Sequence, residues 1–381
     1  MSQYKSILIF GFAIFAMFFG SGNLVFPLQI GFADGNHWLP GFFGLLMTGI
    51  ILPFLGLFVI KLHKGNYHTF FGEAGKVAGI VLPLVMLSLL GSFGVVPRCI
   101  TVAHGSMMYL LPHMSTIIFN LLFCIATYIC CLNDRVMMNL LGKWMSPILL
   151  ISLFILIVVA FMQAPAAEVT TNAPSAFLLG FHTGYQTMDL FAAFFFSSLT
   201  FAQIQHLIPN GSSNRQIVLF ALKPSIIAAV LLAVVYLGFV YLGAHYAFLI
   251  QHVAPESMLP TIAQYTMGNH ATLLIGAALL FSCLSTAVAL NNLYARYICT
   301  VLKLRDQAFY LVLLATTGVA FVISLLDFRG IALFLQPILE VSYPGLITLT
   351  LTSILFKRRE KLKTSLFYLI TALTIAYTLV S

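Results

Sequence analysis

Charged residues are scarce in this chain. Of its 381 residues, 18 are Lys or Arg and 10 are Asp or Glu, so only 7% are charged, whereas 61% are apolar. Soluble domains are about 25% charged and about 45–50% apolar. A soluble globule of this size could not cover its surface with so few charges. The composition therefore excludes a soluble enzyme, a disordered chain and a fibrous protein, and leaves a protein that crosses a membrane many times.

The apolar runs are continuous and lack the polar–apolar alternation of outer-membrane barrel strands. About 20 apolar residues span the hydrocarbon core as a helix. We therefore predict an all-α polytopic membrane protein with eleven transmembrane helices, the first of them opening the chain. The predicted helices cover residues 6–31, 38–62, 77–111, 115–132, 144–163, 175–208, 217–247, 271–301, 307–326, 331–356 and 364–381.

The sequence also lacks disulfide, metal-binding and catalytic motifs. The six cysteines all fall inside apolar runs, which suits small buried residues and gives no disulfide or metal framework. The sequence has no HExxH, paired-Asp or Ser/His constellation, so we do not expect an enzyme. The net charge of +8 is explained first by membrane topology, so we expect no nucleic-acid partner.

Basic residues alternate between the two ends of the predicted helices. With the N-terminus in the cytoplasm, sixteen of the 18 Lys and Arg residues fall in cytoplasmic segments, Arg329 falls outside and Arg98 lies within helix 3. This partition follows the positive-inside rule. It supports eleven helices and an orientation with the N-terminus in the cytoplasm and the C-terminus outside.

Two longer loops, residues 62–76 inside and 248–270 outside, lie at equivalent positions if helices 1–5 and 6–10 form two repeats. An odd number of helices per repeat turns the second repeat upside down, as in many secondary transporters. We predict a five-plus-five inverted repeat, with repeats at about 6–163 and 175–356 and one extra helix at 364–381.

Helices 1 and 6 each carry a polar cluster near the middle of the span. Glycine weakens a helix interior by about 1 kcal/mol, and Ser and Asn compete for backbone hydrogen bonds. Small residues also allow close helix packing, but matching positions in two halves favour two broken helices around a midplane site. The clusters are Gly20, Ser21, Gly22 and Asn23 in helix 1 and Gly184, Tyr185, Gln186, Thr187, Met188 and Asp189 in helix 6.

Broken helices suit a zwitterionic ligand. Free N–H groups at a half-helix N-terminus favour a carboxylate, and free carbonyls at the opposing end favour an ammonium or a metal cation. We expect the amides of Ser21 and Gly22 to bind the carboxylate and the carbonyls around residues 184–187 to receive the ammonium.

Several segments, in order over about residues 6–355, resemble the bacterial branched-chain amino acid:cation symporter family. The resemblance implies the leucine-transporter fold and import of leucine, isoleucine and valine, with sodium as the coupling ion and no other cofactor. Its partners would be the amino acid and the bilayer; the oligomeric state stays open. The matching segments are residues 15–31, the GYQTMD run at 184–189, Pro97-Arg98, the CLSTAVAL run at 283–290 and Tyr343-Pro344.

The resemblance also implies a sodium site on helices 1 and 8. Its ligands would be the carbonyls of Ala16, Phe19 and Ser282 and the hydroxyls of Ser285 and Thr286. From spacing alone, the three helix 8 residues share one face, but such hydroxyls also bond back to their own helix.

The chain departs from the family pattern in three places. Residues 103–105 read Ala-His-Gly where the family tends to have an acidic residue, and Leu28 replaces a usual proline. The chain also ends after eleven predicted helices rather than twelve. These departures bear on the substrate and the coupling ion more than on the fold.

Three charged residues fall inside predicted spans: Arg98, Asp189 and Glu340. An ionisable group at the bilayer centre costs about 2.5–3.5 kcal/mol, so such groups pair in the bundle interior. We predict that Arg98 pairs with Asp189 or Glu340, as a structural contact or as a gate. His104, His182 and His206 are better explained by hydrogen-bonded packing than by a proton relay.

Other functions remain to be weighed against sodium symport. A proton-driven carrier for another neutral amino acid would use Asp189, Glu340 or a buried histidine. A channel is disfavoured because no repeated filter loop is present. An integral-membrane enzyme would need a clustered catalytic set, which the sequence lacks.

The charge partition makes a topology prediction. In a variant without native cysteines, a cysteine at position 168 should react with a membrane-impermeant maleimide added outside, and one at position 360 should not. The reverse labelling pattern would overturn both the orientation and the number of spans.

Overall fold

The computed structural model describes residues 3–132, 146–167, 175–205, 214–356 and 359–380, and in these ranges the chain is helical between short connections. Position 168, Arg135, Lys143, His206, Lys357, Arg358 and Ser381 lie outside the described residues. We number the longer helices in chain order. They are α1 Gln3–Phe18, α2 Ser21–Asp34, α3 Trp38–Leu45, α4 Leu52–Leu62, α5 Tyr67–Gly72, α6 Ala78–Leu90, α7 Val95–Met107, α8 Thr116–Cys131, α9 Ser146–Met162, α10 Ala176–Gln186, α11 Asp189–Gln205, α12 Asn214–His245, α13 Ala247–Ile250, α14 Met258–Val301, α15 Phe309–Ser324, α16 Asp327–Leu355 and α17 Glu360–Val380.

Each predicted span contains described helix. Six helical stretches among the described residues are long and apolar enough to cross a bilayer, and four shorter apolar helices accompany them. The protein is thus a multi-pass membrane protein, and the number of eleven crossings stays a prediction. The six stretches are Ser21–Leu62, Ala78–Met107, Leu222–His245, Thr272–Val301, Asp327–Leu355 and Glu360–Leu379.

The helices pack in a reciprocal pattern. Helix 1, formed by α1 and α2, lies against α12, the seventh predicted span; helix 6, formed by α10 and α11, lies against α3 and α4, the second span. Exchanging the two predicted repeats turns the first pair into the second. The third and eighth spans, α7 and α14, also contact each other, as an exchange of repeats requires. All-helical packing of this kind agrees with the predicted fold class.

Glycines permit the closest of these contacts. A methyl group added to Gly31 in α2 would collide with the backbone of Val240 in α12. At the matching interface, a methyl group on Gly180 in α10 would collide with the backbone of Gly41 in α3. Small residues let helix backbones approach within a membrane, so the same device holds both interfaces.

The structure differs from the prediction in helix 3 and in the two long loops. Helix 3 was predicted to be continuous, but it is broken between α6 and α7 at residues 91–94, where the Ser92 hydroxyl donates to the Thr316 carbonyl at 2.7 Å. The two long loops, 62–76 and 248–270, each contain helix: α5 in the first, and α13 and the start of α14 in the second. Helix breaks in a membrane are tolerated where neighbouring groups satisfy the freed backbone.

A carboxylate ties the first long loop to the end of the chain. The Glu73 carboxylate accepts hydrogen bonds from Lys363 at 2.5 Å, Ser353 at 2.5 Å and the His63 imidazole at 3.0 Å. Lys363 is 1% exposed. Burial alone would raise the pKa of Glu73, but the hydrogen bonds outweigh it and lower the pKa to about 2. Burial opposes charging of His63, and the bond to Glu73 overcomes it, so the pKa of His63 is raised.

Replacing this carboxylate should destabilise the protein in a pH-dependent way. Glu73→Gln leaves Lys363 buried without its counter-ion, a change that typically costs about 3–5 kcal/mol. Because the pKa of Glu73 is lowered and that of His63 is raised, the wild type should lose stability as pH falls from 4.5 towards 2 and as pH rises above 6.5. The variant should show weaker dependence in both windows. Apparent melting temperatures in detergent measure the effect.

Glu360→Gln, at an exposed carboxylate on α17, is the matched control and should leave both the melting temperature and its pH dependence unchanged. A Glu73→Gln protein as stable as wild type between pH 5 and pH 6 would contradict the structural role of the cluster.

Candidate functional site

The break in helix 1 lies at residues 19–20, between α1 and α2. Gly20 is extended, with φ −112° and ψ −167°, and no side chain caps the first turn of α2. The Asn23 amide donates to the Phe18 carbonyl at 2.5 Å and joins the end of α1 to the start of α2. The predicted break was wider: Ser21, Gly22 and Asn23 already belong to α2. Their position in its first turn leaves backbone N–H groups without intrahelical acceptors.

The break in helix 6 lies at Thr187 and Met188, between α10 and α11. The Thr187 amide and hydroxyl both donate to the Gly184 carbonyl, at 3.3 and 2.9 Å, and the Met188 amide donates to the Tyr185 carbonyl at 3.1 Å. Met188 has a φ of 60°, a left-handed conformation that is strained for a residue with a side chain. The carbonyls expected to receive an ammonium are therefore already accepting hydrogen bonds.

A buried carboxylate links the two breaks. Asp189, the first residue of α11, is 5% exposed. Its carboxylate accepts the Asn23 amide at 3.2 and 3.4 Å and the Tyr236 hydroxyl at 3.2 Å. A negative charge at a helix N-terminus is stabilised by the helix dipole. Asp189 thus places a carboxylate at the N-terminus of α11 and connects α11 to α2 through Asn23 and to α12 through Tyr236.

A buried guanidinium closes the other side of the helix 6 break. Arg98 of α7 is 1% exposed. Its Nη1 donates to the Gln186 carbonyl at 2.7 Å, and its Nη2 donates to the Met188 Sδ at 2.8 Å. The guanidinium also lies over the Phe26 ring, 5.4 Å from its centroid. Arg98 therefore caps the carbonyl end of α10, where the helix dipole favours a cation.

The predicted pairing of Arg98 with Asp189 or Glu340 is wrong. Arg98 binds neutral partners at the carbonyl end of α10, where a cation is favoured. Asp189 binds neutral partners at the amide end of α11, where an anion is favoured. Glu340 is not fully buried, and it accepts a hydrogen bond from Gln336 at 2.8 Å. It lines a second cavity, which Phe26, Tyr185 and Phe328 also line and which we call the outer cavity.

A small cavity lies between the two breaks. Its volume is about 20 Å³, room for about one water molecule. A ligand the size of an amino acid can therefore enter only when the lining residues move apart. The lining comprises Met17, Phe18, Gly20, Ser21, Gly22, Asn23, Leu90, Val95, Arg98, Thr187, Met188, Asp189, Ala192, Phe196, Thr286 and Leu290.

The structure brings most of the predicted ligand-binding residues to this cavity, with three exceptions. Tyr185 and Gln186 instead line the outer cavity, and Gly184 packs against Thr48 of the second predicted span. Sequence reasoning missed Leu90 and Val95, which reach the cavity because helix 3 is broken between them; the nearby run of residues 91–94, Gly-Ser-Phe-Gly, resembles the signal used for helix 1.

An aromatic layer borders the outer cavity. Tyr343 stacks between Tyr185 and Phe191, with ring centroids 4.5 and 4.9 Å apart, and Phe26 packs on Phe328 at 5.4 Å. Phe26, Tyr185 and Phe328 also line the outer cavity, whose volume is about 770 Å³. Phe26 also contacts Arg98, which lines the central cavity, so the aromatic layer joins the linings of the two cavities.

Oxygen atoms gather beside the helix 1 break. The Ser282 hydroxyl of α14 lies 3.5 Å from the Phe19 carbonyl. A methyl group placed on Gly20 would lie 3.9 Å from the Thr286 hydroxyl. The Ser285 hydroxyl donates to the Ser282 carbonyl at 2.8 Å, as expected for a serine bonding back to its own helix. Hydroxyl and carbonyl oxygens are the donors that a hard cation prefers, and the sodium site at this corner stays a prediction.

The sequence and the fold match those of known transport proteins. The profile of a family described as Branched-chain amino acid transport protein matches residues 3–381. The branched-chain amino acid permease BrnQ of Corynebacterium glutamicum is 27% identical over 372 residues, which cover 97% of this chain and 85% of that protein. The branched-chain amino acid permease BraB of Bacillus subtilis is 27% identical over 369 residues, covering 94% and 82%.

A solved structure shares the fold. Mhp1, a nucleobase-cation-symport-1 family transporter solved in a closed conformation, superposes with a TM-score of 0.63 over 93% of this chain and 78% of its own. At 14% sequence identity, this likeness concerns the fold alone.

Proposed function

Since the chain belongs to the family of branched-chain amino acid transport proteins, we propose that it is a sodium-coupled symporter that imports leucine, isoleucine and valine across the bacterial cytoplasmic membrane. The observation that carries this proposal is the meeting of two broken helices at one central cavity. Breaks at corresponding positions of two repeats are the feature that secondary transporters use to bind substrate at mid-membrane.

The substrate would sit between the breaks. The first-turn amides of α2, those of Ser21 and Gly22, suit a carboxylate because helix N-termini bind anions. Phe18, Met188 and Ala192 supply apolar surface for an aliphatic side chain. The cavity of about 20 Å³ is much smaller than leucine, so binding requires the site to open.

Transport would proceed by alternating access. The outer cavity gives a path from one side as far as the aromatic layer of Tyr185, Tyr343 and Phe191. Separation of these rings would admit substrate, and their closure would precede opening towards the other side. Movement of one set of helices against the other around a fixed site is the usual mechanism of inverted-repeat transporters.

Sodium would bind between helix 1 and α14, with the predicted ligands Ala16, Phe19, Ser282, Ser285 and Thr286. The contacts of Ser282 with the Phe19 carbonyl and of Thr286 with Gly20 support this location. Proton coupling is the second candidate, because Asp189 is a buried carboxylate at the centre of the protein.

Uptake into proteoliposomes tests the function. An inward sodium gradient should drive accumulation of labelled leucine, isoleucine and valine, whereas threonine and tyrosine should accumulate poorly. Protein-free liposomes and vesicles with equal sodium on both sides are the controls. Accumulation that ignores sodium and follows an imposed pH gradient would replace the sodium proposal with proton coupling, and a preference for threonine or tyrosine would overturn the substrate class.

Removal of one hydroxyl tests the ion site. A hydrogen-bond-sized interaction with a charged partner contributes about 1.5–3 kcal/mol, so Thr286→Ala should raise the sodium concentration for half-maximal uptake roughly 10- to 150-fold. Substrate affinity at saturating sodium should change less, because the substrate is held by the breaks.

Thr300→Ala, an exposed threonine on the same helix whose hydroxyl donates to the Arg296 carbonyl, is the matched control and should not change the sodium dependence. If Thr286→Ala and Thr300→Ala had the same sodium dependence, the ion would have to bind elsewhere.

A further inference from the structure

The central cavity is lined by two ionisable side chains of opposite charge type, an arginine and an aspartate, that make no direct contact in the described part of the chain. Among the described residues that line it, Arg98 and Asp189 are the charged ones. They flank the helix 6 break: Arg98 is bound to the carbonyl of Gln186, and Asp189 follows Gln186 by three residues. Opposite charges buried in one small cavity would normally pair, since their attraction is strong where water is excluded.

Both groups keep unused hydrogen-bonding capacity. A guanidinium has five N–H donors, and a carboxylate has about four acceptor positions. Arg98 uses Nη1 and Nη2, while its buried Nε has no hydrogen-bond partner among the described residues. The Asp189 carboxylate accepts from Asn23 and Tyr236, both neutral. A buried donor without a partner is costly and calls for an explanation.

We propose that Arg98 binds the carboxylate of the transported amino acid and that Asp189 binds its ammonium group. The site would thus select zwitterions by a pair of charges, in addition to the N–H groups of the helix 1 break. The inference rests on the proposed amino acid transport and gives it a recognition mechanism.

The charge of Arg98 also argues against the assignment made from sequence. An ammonium group beside the carbonyls of residues 184–186 would lie next to the guanidinium that already occupies the Gln186 carbonyl. Two like charges in a site of low dielectric repel each other strongly. Placing the ammonium at Asp189 removes this conflict, because the carboxylate then faces Arg98 together with the amides of Ser21 and Gly22.

Two leucine analogues separate the two ends of the ligand. L-leucinol replaces the carboxylate by a CH₂OH group and keeps the ammonium. L-2-hydroxy-4-methylpentanoate replaces the ammonium by a hydroxyl and keeps the carboxylate. Affinities would be measured by competition with labelled leucine on purified protein at neutral pH and saturating sodium, for wild type, Arg98→Gln and Asp189→Asn.

The expected result is a crossed pattern. Arg98→Gln should weaken leucine about 10- to 150-fold, as for loss of one hydrogen bond to a charged group, and leave leucinol near its wild-type affinity. Asp189→Asn should weaken leucine by a similar factor and leave the hydroxy acid nearly unchanged. A purely structural role of either residue would weaken all three ligands by the same factor, and that outcome overturns the proposal.

Three further measurements keep the test decisive. Arg305→Gln, at an exposed arginine between α14 and α15 that lines neither of the two cavities, controls for general loss of positive charge and should leave the ratio of leucine to leucinol affinity unchanged. If Arg98→Gln does not give a monodisperse protein, Arg98→Met fills the same space without a charge and takes its place. Wild-type protein that binds either analogue as tightly as leucine would overturn the proposal without any variant.

A failure of the proposed function has a different signature. Wild-type protein that does not bind leucine, isoleucine or valine contradicts the substrate class. If it binds another amino acid, the alcohol and hydroxy-acid analogues of that amino acid put the charge assignment to the same test.

Discussion

The two helix breaks free backbone groups in the buried centre of the protein, and the side chains around them are arranged to satisfy those groups. An unsatisfied amide or carbonyl in hydrocarbon costs several kcal/mol. Asn23 donates to the Phe18 carbonyl at the end of α1. At the end of α10, Thr187 donates to the Gly184 carbonyl, the Met188 amide to that of Tyr185, and Arg98 to that of Gln186. The side chains that satisfy the breaks also line the cavity, so the structure of the breaks and the proposed ligand site depend on one set of residues.

The same constraint explains why the two buried charges are separate. A direct ion pair between Arg98 and Asp189 would leave the carbonyl end of α10 and the amide end of α11 uncompensated. Placed as they are, the cation meets the negative end of one half-helix and the anion meets the positive end of the other. Met188, which binds Arg98, has a left-handed backbone conformation. The Asn23 amide donates to both the Asp189 carboxylate and the Phe18 carbonyl. The half-helix ends thus take the place of a salt bridge, and the Nε of Arg98, unused in the described part of the chain, leaves one donor for a further acceptor, as the proposed zwitterion site requires.

The sequence predicted the fold class and the location of both broken helices, because apolar runs and clusters of glycine with polar residues are local signals. It did not predict the length of the breaks, since Ser21 and Gly22 are drawn into α2 once Asn23 binds the end of α1. It also missed the break at residues 91–94, although the run Gly-Ser-Phe-Gly there is a local signal of the same kind as that of helix 1. The pairing of Arg98 with Asp189 or Glu340 was predicted because both are charged residues within predicted spans. Such a count of buried charges does not show that the end of a half-helix is the better partner for Arg98.

The proposed cation and substrate sites meet at one stretch of backbone. The Phe19 carbonyl lies beside the Ser282 hydroxyl on the cation side, and the amides of Ser21 and Gly22 begin the helix that faces the central cavity. A cation bound to that carbonyl would fix the orientation of the extended Gly20 and hence of the amides that follow it. The substrate would then bind to a backbone that is already ordered. Because its binding no longer costs the conformational entropy of that backbone, the two ligands bind cooperatively. Because linkage is reciprocal, the same few bonds would let substrate tighten cation binding, which is what coupled transport requires of its binding sites.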